Sequence, residues 1–211
     1  MNIQKSAAYN EVLQRIKGGD QYLDIGCCMG QDIRKLVYDG APSENMYASD
    51  LKGQFWDIGY ELFLDKTSLK ATFIEADVFD DKSGLQQLTG KFDIVHAASF
   101  FHLFDWNGQV AAAKRIIGLL KSESNGLILG RQAGRAEAGD FTAQVEQTKS
   151  RYWHNPESWA KLWKQVGDET ETKWKVEADF DDKTDLFRNK CGMADFIPQD
   201  TKFMRFIIRK V

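Results

Sequence analysis

The sequence predicts an α/β domain: a mostly parallel sheet of seven strands, helices on both faces, and an antiparallel terminal strand. Three observations carry this. Short apolar runs alternate with stretches of helical periodicity, as strand–helix–strand units require. The first three runs close on acids, at Asp24, Asp50 and Asp77, so in a parallel sheet those ends lie along one edge, where ligands bind. The first run is followed by a glycine-bearing turn and an amphipathic helix.

In chain order, residues 3–17 read as a helix with Ala8, Val12 and Ile16 on one line, ended by Gly18 and Gly19. Within 1–19 it either covers a sheet edge or forms part of a lid. Tyr22–Leu36, YLDIGCCMGQDIRKL, is strand, turn and helix, the helix starting near Gln31 with Ile33, Leu36 and Val37 on its apolar face. Gly26 and Gly30 allow the turn and a close ligand approach, and helix N-terminal N–H groups suit an anionic group. The dinucleotide fingerprint G-x-G-x-x-G fails, because Cys28 and Gln31 stand where its second and third glycines belong. An acid followed by alternate glycines is met at Asp24, Gly26 and Gly30, with Cys28 as the exception.

Asn45–Asp50 is the second strand; Asp50 either accepts hydrogen bonds from ribose hydroxyls or caps a helix beginning near Gly53. In helix 53–64, Phe55, Ile58, Leu62 and Phe63 are assigned mostly to core. Ala71–Asp77 is the third strand and Phe92–Ala98 the fourth. Ala97, Ala98 and Ser99 leave room for a ligand, and Phe100, Phe101, Phe104 and Trp106 form an aromatic wall, part of it core. His96, inside the strand, reads as a buried, hydrogen-bonded core histidine. His102, past the strand end, is the candidate substrate contact and catalytic group; spacing does not place His154.

Helix 108–121, with Val110, Ile116, Ile117 and Leu120, leads to a fifth strand at Gly126–Arg131. Arg131 and Gln132 either meet a substrate carboxylate or cap and solvate the loop. Residues 135–155 lack a strong period and are expected to form a mobile arm over the substrate. Asn155-Pro156-Glu157 starts a helix with proline in its first turn, and Trp159, Leu162, Trp163 and Val166 make a packing stripe along it. Trp174, Val176, Ala178 and Phe180 alternate with charges in a half-buried strand at the antiparallel end of the sheet. Residues 181–185 are a solvated turn, and 203–211 close the chain as a last strand.

The chain has 211 residues, enough for one domain spanning 1–211. A domain of this size buries roughly 70% of its unfolded surface without needing a disulfide or metal. A net charge of −3 argues against nonspecific nucleic-acid binding, and a hydrophobic content of 43% argues against disorder. Three cysteines form neither a disulfide framework nor a metal pattern, so a reduced, cytoplasmic setting is expected. No signal-type core or membrane-length run is present in the sequence.

The assembled pattern resembles class I S-adenosylmethionine-dependent methyltransferases. LDIGCCMGQDIRKLVYDGAPSENMYASDL, FDIVHAASFFHLFDW, GRQAG and YWHNPESWAKLWKQVG are similar, more closely, to the fungal O-methyltransferases of meroterpenoid biosynthesis. That resemblance implies a Rossmann-like fold, S-adenosyl-L-methionine as cofactor, and O-methylation of a carboxyl group on a hydrophobic prenylated polyketide acid. It implies that Asp24, Gly26, Cys27 and Gly30 hold the methionine portion. Asp50 and Leu51 would hold the ribose and Asp77 and Val78 the adenine, with Ala98 beside the cofactor. Phe100, Phe101, Arg131 and Gln132 are the substrate candidates and no metal is expected. Expected partners are a hydrophobic small molecule, no nucleic acid and no membrane, with a homodimer allowed. The family usually carries a longer segment before the glycine motif than the roughly twenty residues here, so either a partner supplies that roof or the substrate site differs. Two alternatives therefore stand beside methyl transfer: an isomerase or cyclase on the same scaffold, with His102, His154 or Arg131 directing protons, and a noncatalytic partner subunit.

Overall fold

The strand Tyr22–Ile25 is buried at all four positions, the signature of a central strand covered on both faces. The computed structural model describes residues 2–142, 150–181 and 200–211. Its elements are α1 (Tyr9–Lys17), β1 (Tyr22–Ile25), α2 (Gln31–Tyr38), β2 (Met46–Asp50), α3 (Gly53–Phe63), β3 (Thr72–Glu75), β4 (Ile94–His96), α4 (Trp106–Leu119), β5 (Leu127–Arg135), β6 (Gly139–Thr142), β7 (Ser150–Trp153), α5 (Pro156–Thr170), β8 (Trp174–Phe180) and β9 (Thr201–Lys210). Seven strands form one sheet in the order β3-β2-β1-β4-β5-β9-β8. The first five pair in parallel, and β9 runs antiparallel to both β5 and β8. The mostly parallel sheet expected from the sequence is the one observed.

The two faces bury separate cores. On one, Phe101, Ile116, Trp159, Trp163 and Phe206 pack among α4, α5 and the sheet. On the other, Val12, Ile16, Ile33, Leu36 and Trp56 pack from α1, α2 and α3. The stripe Trp159, Leu162, Trp163 and Val166 is buried throughout, as its spacing requires. Asn155 caps α5 by accepting the Ser158 N–H at 2.9 Å, and Ser158 Oγ accepts the Asn155 N–H in return. Among the described residues, no helix is long and apolar enough to cross a membrane.

Several sequence expectations are corrected. The first helix does not run from residue 3: Ile3–Lys5 is a separate 3-10 turn. Asp32 accepts the Asn2 and Ile3 N–H groups, and Ser6 Oγ accepts the Ala8 N–H, so local polar bonds break the helix before Tyr9. β1 runs one residue past Asp24, which lies inside the strand. β3 ends at Glu75, leaving Asp77 in the following loop, where its Oδ1 accepts the Phe79 N–H. In α3 the buried positions are Trp56 and Gly59, whereas Phe55, Ile58 and Leu62 are exposed. The helix is rotated because Trp56 stacks on Phe73 of β3 and lies beside Arg34. Within 135–155, where the sequence shows no strong period, the described residues include regular strands: β6 and β7 pair antiparallel, and β5 extends to Arg135. Of the turn assigned to 181–185, residues 182–185 lie outside the described residues; Asp181 pairs with Arg205.

We expect Asn155→Ala to lower stability by about 1 kcal/mol, the usual cost of an N-cap. In a urea titration the midpoint should fall with the slope unchanged.

Candidate functional site

The turn after β1 is held in an unusual backbone geometry. Gly26, Cys28 and Gly30 all take positive φ, at 68°, 51° and 68°. The middle position, where the alternate-glycine pattern wants a glycine, keeps the left-handed conformation although it carries a side chain, at a cost of about 1 kcal/mol. Three contacts hold it there. The Gly26 N–H donates to the Ser49 carbonyl at 2.8 Å, the Cys28 N–H donates to Asp50 Oδ2 at 2.9 Å, and the Gly30 N–H donates to the Cys27 carbonyl at 2.9 Å. Two of the three tie the turn to the end of β2.

Beside this turn, at the C-terminal edge of the parallel strands, lies a cleft of about 380 Å³. It brings together eight of the residues given a ligand role from the sequence: Gly26, Asp50, Leu51, Asp77, Val78, Ser99, Phe100 and Phe104. A Cβ on Gly26 would stand 2.9 Å from the Phe100 ring, so only glycine fits at that wall. Asp50 Oδ1 also accepts the Lys52 N–H at 3.1 Å, and each carboxylate oxygen keeps a lone pair for a ligand. Two acids set between apolar walls favour a ligand with hydroxyl donors or positive charge. A larger depression of about 590 Å³ lies at the opposite edge of the sheet, but its charges are spent on one another: Arg15 pairs with Asp20 and Arg209 with Glu11.

The other predicted residues stand outside the cleft. Asp24 and His96 are a buried pair, 4% and 1% exposed in their side chains, with Asp24 Oδ1 and His96 Nδ1 at 2.9 Å. His96 is thus the buried, hydrogen-bonded histidine expected. Burial alone would lower its pKa, but the Asp24 charge and hydrogen bond outweigh it and raise the imidazole above its ordinary range. Cys27 is buried, and burial holds its thiol protonated. A Cβ on Gly30 would collide with the Trp56 indole, so this glycine serves helix packing. Ala98 lies past the end of β4, outside the cleft wall, and Phe101 is core, edge-on to Trp159 at 5.2 Å. The aromatic wall is therefore split: Phe100 and Phe104 line the cleft, while Trp106 hydrogen-bonds Gln165 on α5 at 2.8 Å.

His102 turns toward the hairpin, its ring 6.5 Å from that of Trp153. Burial and the charges of Arg151 and Arg131 depress its pKa to about 4, so it is neutral at pH 7 and a weak base. Arg131 stacks over Phe203, 3.4 Å from the ring centroid; burial and the Arg205 charge lower its pKa to about 10, and it remains charged. Gln132 is 1% exposed, and neither amide atom has a hydrogen-bond partner among the described residues. His154, unplaced by the sequence, is buried against Ser158 Oγ at 2.8 Å, and burial lowers its pKa to about 3.

Sequence reasoning missed Phe79, Leu103 and Phe55 as cleft residues. The signal was available for Phe79, an exposed-loop phenylalanine directly after Asp77-Val78. It was absent for Phe55, whose place depends on the rotation of α3.

A parallel sheet with one antiparallel strand inserted next to its edge, and an acid-lined cleft beyond a glycine turn, define a Rossmann-like methyltransferase architecture. Residues 23–123 match the family model described as a methyltransferase domain. The O-methyltransferase phiE of a fungal species is 45% identical over 96% of this chain and 71% of its own length. Methyltransferase adrK of Penicillium roqueforti is 43% identical, and the asnovolin E/chermesin D methyltransferase nvfJ of Aspergillus novofumigatus 38%, each over 84% of this chain. The chain spans 64% of the length of these last two relatives. The chain belongs to the S-adenosylmethionine-dependent methyltransferases, in the branch that contains these fungal enzymes. Among solved structures, a 1,6-didemethyltoxoflavin N1-methyltransferase from Burkholderia thailandensis matches with TM-score 0.64 at 13% identity, covering 99% of this chain and 80% of its own. The [4+2]-cyclase SpnF matches with TM-score 0.63 at 15% identity, covering 96% and 82%. At these identities the likeness is one of fold.

We expect His96→Gln to cost about 3 kcal/mol, because it leaves the Asp24 carboxyl buried without its partner. A raised folded-state pKa means that the stabilisation by charged His96 is complete below the ordinary imidazole value of about 6.5 and is lost as pH rises through the higher folded value. Urea titrations of the wild type should therefore show stability falling as pH rises above about 6.5, with the Asp24 carboxyl, itself raised by burial, acting in the same direction. Stability that stays flat across that range would mean that the pair is held by a neutral hydrogen bond.

Proposed function

We propose that the chain is an O-methyltransferase that methylates the carboxyl group of a hydrophobic prenylated polyketide acid in fungal secondary metabolism. The observation that carries this reading is the cleft itself. It pairs Asp50 with apolar walls at the edge of the sheet, and the described residues that line it include no histidine, lysine or arginine. A carboxylate is already ionised at neutral pH, its reference pKa being about 4, so it needs none. A phenol, with a pKa of about 10, would need a base, and His102 is neutral, weak and turned away.

The residues present fit the cofactor of the family. Asp50 offers carboxylate lone pairs to ribose hydroxyls, Gly26 leaves its side of the cleft open, and Val78, Phe79, Leu103 and Phe104 offer apolar surface to a purine. When bound, S-adenosylmethionine supplies an electrophilic methyl group on a sulfonium. The chain's own contribution is alignment and exclusion of water: the walls desolvate the acceptor oxygen and the turn after β1 sets the position of the cleft edge. One relative, nvfJ, is named as a methyltransferase of asnovolin E and chermesin D, which accords with a small-molecule acceptor. The apolar rim formed by Leu51, Phe55, Phe79 and Leu103, each exposed by 42–57%, suits an acceptor with a large hydrocarbon part.

Two measurements test this. Isothermal titration with S-adenosylhomocysteine should give saturable binding, and Asp50→Asn, which keeps an acceptor for the Cys28 N–H, should weaken it by about tenfold, the loss expected for a charged hydrogen bond. Unchanged affinity in Asp50→Asn would remove the ribose role. Incubation with methyl-labelled cofactor and prenylated polyketide acids should yield a labelled methyl ester by mass spectrometry. Cofactor binding with conversion of an acid but no label transfer would instead favour an isomerase or cyclase.

A further inference from the structure

The glycine turn is gripped from the side opposite the cleft by Arg34 of α2. This side chain is almost fully buried, and its position is over-determined. Its Nε and Nη2 donate to the two oxygens of Asp65, just beyond α3, at 2.6 and 2.9 Å. The guanidinium carbon lies 5.1 Å from the Trp56 ring centroid, 5.6 Å from Tyr60 and 4.7 Å from Phe63, within the range of cation–π attraction for each. The remaining terminal nitrogen, Nη1, donates to the carbonyl of Met29 at 2.5 Å. Met29 is the residue between Cys28 and Gly30, the last two left-handed positions of the turn.

The same place shows why the chain is bare of side chains around it. A Cβ on Gly30 would stand 2.8 Å from Arg34 Nη1 and collide with Trp56. A Cβ on Gly59 would collide with the Met29 carbonyl. Two glycines, one in the turn and one in α3, thus clear the space in which the Met29 carbonyl meets the guanidinium. On the other side of the turn, the Cys28 N–H is held by Asp50, which lines the cleft. The Cys27–Cys28 and Met29–Gly30 peptide units, on either side of the Cys28–Met29 peptide, are therefore held by a cleft carboxylate and by a buried guanidinium respectively.

We propose that Arg34 is a positioning residue for the cofactor site. It fixes the Met29 carbonyl, and through the Cys28 N–H it sets where the Asp50 carboxylate points. Asp65 and the rings hold Arg34 in place, but the bond to Met29 is the one that acts on the site. The inference rests on the methyltransferase reading, and wild-type binding of S-adenosylhomocysteine tests that reading by itself.

The variants separate the two ideas. Arg34→Met keeps an apolar chain against Trp56 and Phe63 but removes the donor to Met29. Arg34→Lys keeps one donor long enough to reach the carbonyl. Asp65→Asn removes the ion pair and leaves the Met29 bond. Melting temperature, affinity for S-adenosylhomocysteine, and hydrogen–deuterium exchange of the free protein over residues 26–31 would be read for each. Expected is a loss of affinity of about tenfold in Arg34→Met, as for one charged hydrogen bond, with faster exchange across the turn. Arg34→Lys should restore most of the affinity, and Asp65→Asn should lower the melting temperature while affinity stays within about twofold of wild type. If affinity instead tracks melting temperature across all three variants, or if exchange of the turn is unchanged in Arg34→Met, Arg34 is a structural clamp only and the inference is overturned. Should Arg34→Met fail to fold, Arg34→Lys against Asp65→Asn still decides: equal loss of affinity in both overturns it.

Discussion

The ligand edge of this protein depends on one constraint: a turn of five residues after β1 must hold left-handed backbone at three alternate positions, one of them occupied by cysteine. Left-handed geometry is easy for Gly26 and Gly30 and costly for Cys28. It persists because neighbours bond to it from two sides. Ser49 and Asp50 at the end of β2 accept its N–H groups, and Arg34 donates to its carbonyl. Strand order makes this possible. Placing β2 beside β1 brings Asp50 next to the turn, and placing α3 after β2 brings Trp56 and Gly59 beneath it.

The cleft that results is electrostatically one-sided. Asp50 and Asp77 face it, while two arginines paired across β5 and β9 lie elsewhere, Arg131 stacked on Phe203 and Arg205 paired with Asp181. An acid-lined, apolar-walled cleft attracts a cationic ligand bearing hydroxyls and does little to abstract protons. The histidines are consistent with that division. His102 and His154 are neutral through burial, and only His96, beside Asp24, is held toward the charged form.

Legibility varied with the distance over which each signal acts. The helix Pro156–Thr170 was readable because its cap, its proline and its Trp stripe are all local. Strands β1, β2 and β4 were readable as apolar runs, although their ends shifted by one to two residues. Asp24 shows the cost of such a shift: one residue moves it from the sheet edge into the interior, where a histidine 72 positions away meets it. The helix α3 was misread for a different reason. Phe55, Ile58 and Leu62 form a helical stripe as regular as Trp56, Gly59 and Phe63, and only the presence of Arg34 and Phe73 decides which stripe turns inward. The hairpin β6–β7 left no period to find, since each strand is only four residues long.

By itself, the sequence determined the alternation of strands and helices, the glycine turn with its acids, the packing stripe of α5 and the family, because these are set by local periodicity, backbone freedom and short motifs. Tertiary structure decided which of those acids line the cleft, which glycine makes room for a helix instead, and which histidine pairs with a buried acid. Those outcomes depend on side chains that come together from separate elements. A carboxyl inside a strand and one just past its end read alike in a sequence, and only the neighbours that pairing supplies tell them apart.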